Sequence, residues 1–599
     1  MMIGGALFVL LLAIVIIWIA VRGLLARSHL QTARAEIAAL GRVVLAGDGS
    51  SDVQLRTRID AIRQNTAAAR KLTGDPLWAV VGHVPAVGCP VRSVRSMAVA
   101  VDRVIADGRT SLGDMGSVLD LSSLRNGTTI GVDRIAAARP AVEAAQNAIT
   151  RFHQRLETIP DCGLIGRTFG LSTARLDAVK SAGQLERAAG TLSLTTRLVP
   201  PMMGIDGTRR YLLVVQNPAE SRATGGIIGG FGLLTVTDGR FELDRISGNG
   251  HLPGGSTQPV PAMRLPSELE SLYGPAEPTR VWANANLTPH YPTVGRFYTA
   301  LYQAGTGVHV DGTITVDPTT LAYLLAATRP AVLPDGRVVT ADKLVELVES
   351  RVYAEISYVQ QRDDFFATVG RSVYDAVASG GGSTPKLLAA LSRAASEGRL
   401  LVSSNHPDEQ LLIEPTVLGG ALADVDGPYL AVVTQNAAAS KLDYWLRRST
   451  DYRSVRRPDG SADVTITVRI GNAAPNGLSE YVRNRSDHPG PGQSAPPRGN
   501  PDAQNLLLLS VYTGEGSGLQ SATLDGLPVV LRRGTERGHP LFSTSLPVDR
   551  GQTRTLVLRV WEPVAKPILL LRPQPLVAPE PVTVSGVRLV TPWSQKNPD

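Results

Sequence analysis

The chain contains no Gly-Lys dipeptide, no HExxH and no GxSxG, so a Walker A phosphate loop, a zincin site and an α/β-hydrolase nucleophile elbow are all excluded. Its 9 histidines are scattered without ligand spacing, and its 2 cysteines form no CxxC, which leaves no zinc motif. Aromatic residues are scarce, with 9 Phe and 6 Trp, and the basic residues behind a formal net charge of +7 are spread along the chain. A nucleic-acid binder needs a basic stripe or a stacking platform, so no nucleic-acid partner is expected. Ser383 and Lys386 have SxxK spacing, but they follow Gly380, Gly381 and Gly382 and read as a flexible loop, where a penicillin-binding-type serine needs a helix start.

What the sequence does hold is material for several packed cores. With 599 residues, 43% of them apolar and 19% charged, about three to five folded units are expected. The abundance of Ala, Arg, Gly, Val and Leu against few Lys indicates a GC-rich bacterial genome, an inference about codons rather than physics.

Residues 4–20, GGALFVLLLAIVIIWIA, carry no charge, and a helix of that length reaches ~25 Å, so a single-pass anchor in the membrane lipid bilayer is expected over 1–25. Arg22, Arg27 and Arg34 follow the run and, by the positive-inside rule, argue for a cytoplasmic body. The cysteines argue the other way. Cys89 and Cys162 both sit beside proline at helix ends, an even pair that suits a disulfide and hence an oxidising compartment, with two unpaired thiols as the alternative. A bond would close a loop of about 70 residues and stabilise the fold by about 3 to 4 kcal/mol. The localisation expected is the cell membrane, single-pass, with the bulk extracytoplasmic.

Residues 26–195 read as a helical stalk or bundle. Ala33, Ile37, Leu40 and Val44 share one helical face; Val91, Val94, Ala98, Val101 and Ile105 share another; Ile135, Val142, Ile149, Phe152 and Leu156 mark a third. After Pro200 and Pro201 the pattern changes to strands mixed with helices, with Asp238-Gly239 as a hairpin turn, which predicts an α/β core over 200–425. From 426 to 599 short alternating runs at Leu430, Val464, Leu506, Val529 and Thr555 predict a β-sandwich, with 484–505 as an exposed loop.

The most specific stretch is YLLVVQNPAESRATGGIIGGFG. Asn217, Glu220 and Arg222 end a strand, and Gly225, Gly226, Gly229 and Gly230 form a turn whose N–H groups can approach an anion; the alternative is a structural Glu220–Arg222 ion pair. Asn284 and Asn286 lie on a loop before a helix, Asp311 and Asp317 flank a strand, and Arg362, Asp363, Asp364 and Arg371 fall on one helix. If these loops converge, the arginines and paired carboxylates make a diphosphate and divalent-metal site; the alternative is a solvated helix face.

At these residues the chain resembles the bacterial domain-of-unknown-function 4012 family, through RYLLVVQNPAESRATGGIIGGFGLLTV, NANLTPHYP, VDGTITVDPTTLAYLLAAT, RDDFFATVGRSV and NAAASKLDYWLRR, covering about 205–450. Members look like membrane-anchored exported proteins, often actinobacterial. The order of elements is also distantly similar to the LytR-CpsA-Psr phosphotransferases, which attach lipid-pyrophosphate-linked glycopolymers to the cell wall. That likeness implies a LytR-CpsA-Psr-like core in which Arg362 and Arg371 grip pyrophosphate and Asp363 or Asp364 lies near Mg²⁺. The chain departs from it at LDRISGNGH, where those enzymes carry a Pro-Arg-Asp signature. The function expected is cell-envelope glycopolymer assembly, binding or transferring a lipid-linked glycan among envelope proteins. The alternatives are a non-catalytic scaffold or glycan- or partner-binding protein, or an envelope sensor.

Overall fold

The computed structural model describes residues 2–46, 52–85, 88–107, 125–126, 129–168, 170–255, 257, 259–378, 382–483 and 503–590. The chain divides into two units, 1–207 and 208–599.

The first unit is helical because its sequence is rich in Ala and straight-chain residues with small apolar side chains at helical spacing. Met2–Ala46 is one helix, followed by Asp52–Leu72, Pro76–Val81, Gly88–Asp107, Arg139–Glu157 and Leu171–Met202. Asp75 caps the third helix by accepting the Trp78 N–H at 2.7 Å, with Pro76 at its first position. Ala26, Ala69 and Ala98 close one contact between helices, and Ala100, Leu156, Ile159 and Ala182 close another. Alanine at such crossings lets helix axes approach closely. Cys89 and Cys162 are bonded, with Cα atoms 5.7 Å apart and a sequence separation of 73. Pro200 and Pro201 fall inside the last turn of the final helix.

The anchor expected over 1–25 is corrected. Among the described residues no helix is long and apolar enough to cross a membrane. In Met2–Ala46 the described side chains begin at Ile14, and the charged residues Arg22 and Arg27 follow within a few turns. Arg22 pairs with Asp75 and lies 4.7 Å over the Trp18 ring. By Ala26 the helix is packed on its neighbours as part of the helical unit. Of the expected apolar faces, Leu40 and Val44 lie outside the described side chains, as do 484–502 of the expected loop.

The second unit begins with a mixed sheet. Its strands β1 (Arg209–Arg222), β2 (Gly225–Thr237), β3 (Arg240–Gly248), β4 (Gly312–Val316) and β5 (Leu401–Ser404) lie in the order β3-β2-β1-β4-β5. Only β1 and β4 pair in parallel, with Tyr211 opposite Gly312 and Val215 opposite Val316. Asp238 and Gly239 turn the β2–β3 hairpin with φ of 48° and 74°, the left-handed pair a type I′ turn requires. The helix Tyr291–Thr306 covers one face, burying Tyr291, Phe297, Tyr298 and Leu301 against Leu212, Val214 and Ile228. The helix Val359–Ala378 lies along β3, where the Tyr374 hydroxyl donates to the Phe241 carbonyl at 3.1 Å.

Two six-stranded sheets complete the unit. One runs Arg532–Glu536, His539–Val548, Asn505–Thr513, Tyr429–Asn436, Ile568–Arg572, Arg588–Val590; the other runs Leu527–Pro528, Gly518–Leu524, Thr553–Glu562, Ala462–Asn472, Leu446–Arg456, Val582–Ser585. Alternate residues face inward, so Leu446, Tyr452, Val464, Ile466, Val468, Leu507, Leu509, Leu556 and Leu558 form one apolar core. Val529–Leu531, expected as a strand, lies between strands: Asp525-Gly526 makes the hairpin turn instead, and Val530 is left fully exposed.

Candidate functional site

The feature that organises the second unit is a bulge in β1. Asn217 pairs with Ile227 and Ser221 with Gly226, so Pro218, Ala219 and Glu220 have no opposite residues. Proline cannot donate to a ladder, and the excess residues bow out of the sheet. A Cβ at Gly226 would sit 2.1 Å from the Asn217 carbonyl carbon, and one at Gly225 would lie 2.4 Å from Gln216 Oε1. These glycines are therefore strand residues that admit a close backbone approach, and the anion-cradling turn expected of them is corrected. Gly225 and Gly226 are buried, and the Gly226 N–H faces Gln216 Oε1 at 3.4 Å.

The bulge delivers Glu220 to Lys441, with both side chains almost fully buried. Burial pushes the Lys441 ammonium down, but Glu220 outweighs it and holds the group charged, above its ordinary value. Lys441 Nζ lies 5.1 Å from the ring centroids of both Tyr353 and Tyr481, which stack at 5.8 Å. Arg362 covers Tyr481 from 3.9 Å, and its Nη1 donates to the carbonyls of Ile356 and Ser357 at 2.8 and 2.9 Å, capping the helix Val352–Glu355. Asn217 donates to the Tyr353 hydroxyl at 2.8 Å. Three expected residues, Asn217, Glu220 and Arg362, thus converge on a closed cluster of cations and phenols. Tyr481, 45% exposed, is its member in contact with solvent.

Arg222 goes elsewhere. Its Nε donates to the Ala283 carbonyl at 2.9 Å, and its Nη1 to the carbonyls of Ser221 and Asn436 at 3.1 and 2.7 Å. Burial pulls the guanidinium below its ordinary value. The pair expected between Glu220 and Arg222 is replaced by these separate partners. Asn284 donates to the Ala276 carbonyl at 2.8 Å. Asn286, wholly buried, donates to Thr224 Oγ1 and the Gly226 carbonyl at 3.0 and 2.8 Å. Asn286 thus ties its loop to the β1–β2 hairpin, while Asn284 ties the same loop to the Gly274–Ala276 turn.

The residues expected for transfer chemistry do not share a face. Nine residues at ~100° each set Arg362 and Arg371 on opposite sides of their helix, and neighbours such as Asp363 and Asp364 diverge by ~100°. Asp363 is buried over Gly248 and Gly250, and burial pushes its carboxyl up. Asp364 is exposed, with Gln360 Nε2 at 3.4 Å. Arg371 pairs with Asp375 at 3.2 Å and donates to the Leu243 carbonyl at 3.2 Å. Among the described residues no group of three or more His, Cys, Asp or Glu is placed to hold a metal ion. Asp363 and Asp364 do not come together as a paired carboxylate. Ser383 does stand at a helix start, against expectation, but as the cap of Thr384–Ser396, its Oγ accepting the Lys386 N–H at 3.4 Å.

Three buried residues carry more of the site than sequence reasoning assigned. Asp443 accepts from Ser221 N–H and Oγ at 2.8 and 2.7 Å, from Asn436 at 3.1 Å and from Asn505 at 2.6 Å. Lys441 and Asp443 lie in the NAAASKLDYWLRR stretch, whose alternation of small and charged residues outside any strand period was the available signal. Glu349 sits in the π-helical turn Leu347–Arg351 with neither carboxylate oxygen hydrogen-bonded, and burial pushes its carboxyl well up. Nothing in VELVESRVY distinguishes it from an ordinary helical glutamate.

Residues 206–353 match the family model described as "Protein of unknown function (DUF4012)", so the resemblance on those residues is to a real domain family. Comparison with curated proteins and with solved structures finds no match, and the LytR-CpsA-Psr likeness gains no support from either.

Proposed function

We propose, from a chain carrying a DUF4012-family domain, a non-catalytic binding protein or scaffold of an oxidising extracytoplasmic compartment, engaged with cell-envelope glycopolymer. One observation carries the reading. Four of the residues expected at the site are occupied in bonding the fold: Arg222 by three carbonyls, Glu220 by Lys441, Arg362 by two carbonyls and two rings, and Asp363 beneath the 248–250 turn, while Arg371 and Asp364 lie on other faces of their helix at the surface. The Cys89–Cys162 bond supports an oxidising compartment. The net charge of +7 is complementary to an anionic polymer.

The test uses the full chain with a polyprenyl-pyrophosphate-linked glycan, an acceptor glycan and Mg²⁺. The expected result is no release of lipid pyrophosphate. Release that disappears in Asp363→Asn with the fold intact would refute the non-catalytic reading and restore the transferase.

A further inference from the structure

The outer face of the second sandwich sheet carries a row of arginine and hydroxyl side chains. Register places Arg453 opposite Thr465, Thr465 opposite Arg559, and Arg559 opposite Ser521 on four neighbouring strands. Arg453, Arg559 and Ser521 are exposed and Thr465 is half-buried. The two guanidinium groups therefore rise from strands two apart, ~10 Å from each other, with a hydroxyl between them.

The charge on this face is unbalanced in one direction. Its two acids are already engaged: Asp463 by Arg457 at 2.7 and 2.5 Å, and Asp451 by Arg469 and Thr583. Arg453 and Arg559 have no acidic partner among the described residues, so the row presents two uncompensated cations on a flat, rigid platform.

Beside Arg559 on the same face is Trp561, paired across the strands with Gly518 on one side and with Asp463, which Arg457 holds, on the other. Its indole lies over Gly518, where a Cβ would stand 4.0 Å from Cε3. An indole beside hydroxyls and guanidinium groups meets the three parts of an acidic sugar: its apolar ring face, its hydroxyls and its anionic substituent. A nucleic-acid or lipid surface would call for a longer basic stripe or an apolar wedge.

We propose that the row Arg453–Thr465–Arg559 with Trp561 is the docking surface for an extended phosphate-bearing polysaccharide. This assignment rests on the glycopolymer-binding reading above and locates it on the sandwich rather than on the α/β core. Each guanidinium forks onto one phosphate, Thr465 bonds a sugar hydroxyl between them, and Trp561 stacks on a ring.

Affinity electrophoresis of the full chain through gels containing a phosphomannan, or the same mannan stripped of phosphate, tests it. The wild type is expected to be retarded by phosphomannan, less so as salt rises, and only weakly by the stripped polymer. The double variant Arg453→Glu/Arg559→Glu is expected to lose at least about tenfold in affinity for phosphomannan, with an unchanged melting temperature because both side chains are exposed. Trp561→Ala is expected to weaken retardation by both polymers. Undiminished binding by the double variant would remove the site and leave the broader reading standing; no retardation of the wild type by either polymer would remove both.

Discussion

The interior of the sandwich and the seam that joins it to the α/β core are both buried, but they are held by different chemistry. The interior is assembled from alternating aliphatic side chains, Val464, Ile466, Val468, Leu556 and Leu558 among them, whose contacts are short-ranged and interchangeable. The seam sets a dense array of polar bonds beside a smaller apolar cluster of Ala223, Leu422, Tyr429, Ala431, Val433 and Leu541. Gln574 donates to the carbonyls of Arg222 and Thr434, Arg572 to those of Pro289 and Gly420, and Asp443 gathers Ser221, Asn436 and Asn505. Glu536 collects the hydroxyls of Thr288, Tyr273 and Tyr512. Apolar burial specifies that two surfaces meet; these bonds specify which atoms meet, because a misplaced partner leaves a buried polar group unpaired.

The sharpest way to break this comparison is to remove one half of a seam pair. Lys441→Met strands the Glu220 carboxylate beneath two aromatic rings, and breaking a buried pair from one side costs about 3 to 5 kcal/mol. The second substitution Glu220→Gln is expected to recover most of that, since the uncompensated charge is gone. Urea denaturation followed by tryptophan fluorescence reads both. A double variant no more stable than Lys441→Met would show that the ion pair itself, rather than avoidance of a lone charge, holds the seam.

The two regions also differ in how far the sequence reveals them. The sandwich strands around Leu430, Val464, Leu506 and Thr555 announce themselves through period-two alternation, and the Asp238-Gly239 turn through its dipeptide. Asn217, Glu220 and Arg222 stand out as polar residues interrupting an apolar run, and all three prove buried or half-buried. Their partners could not be read. Lys441 is 221 residues from Glu220, and a bulge of three residues decides which way the carboxylate points. Helical arithmetic was available for Arg362 and Arg371, and it separates them: a spacing of nine residues puts the two on opposite sides of the helix, however near they are in sequence. The apolar run at the N-terminus and the arginines after it were legible in the sequence; that Arg22 pairs with Asp75 and Ala26 packs against Ala69 and Ala98 was not.

A second prediction turns on an acid buried on the inner face of the sandwich. Glu562 is 2% exposed and accepts only the Tyr452 hydroxyl, at 2.9 Å, and burial pushes its carboxyl up to about 7 from 4.5. The folded state therefore binds the proton more tightly than the unfolded chain. The stabilisation is complete below pH 4.5 and is lost as pH rises through 7, a loss of about 3 kcal/mol by pH 8. Glu562→Gln keeps a neutral acceptor for Tyr452 and is expected to be more stable than wild type at pH 8 by nearly that amount, and equal to it near pH 4. An unchanged difference across this range, in thermal melts, would mean the carboxyl is not buried as described.

His290 gives the seam the opposite slope and the smaller effect. It is 3% exposed, its Nδ1 accepts the Leu422 N–H at 3.1 Å, and burial, with Arg537, Arg572 and Arg296 adding to it, pulls the imidazole down to about 2 from 6.5. Glu414 approaches its Nε2 only to 3.9 Å, too far to hold a proton there against burial and three cations. The ring is neutral in the folded state, while the unfolded chain takes up a proton below pH 6.5. Its contribution to stability is therefore present above pH 6.5 and declines as pH falls, by about 2 kcal/mol at pH 5. Asp443 and Glu536, whose carboxyls burial pushes up, oppose that trend within the same seam, so the residue's own share must be read as a difference. His290→Gln, which can still accept the Leu422 N–H, is expected to lose less stability than wild type between pH 7 and pH 5. Glu562→Gln is expected to shift the same limb the other way, because the stability that protonation of Glu562 adds over that range is missing. If the two variants changed this limb in the same direction, the opposite slopes assigned to seam and interior would fail.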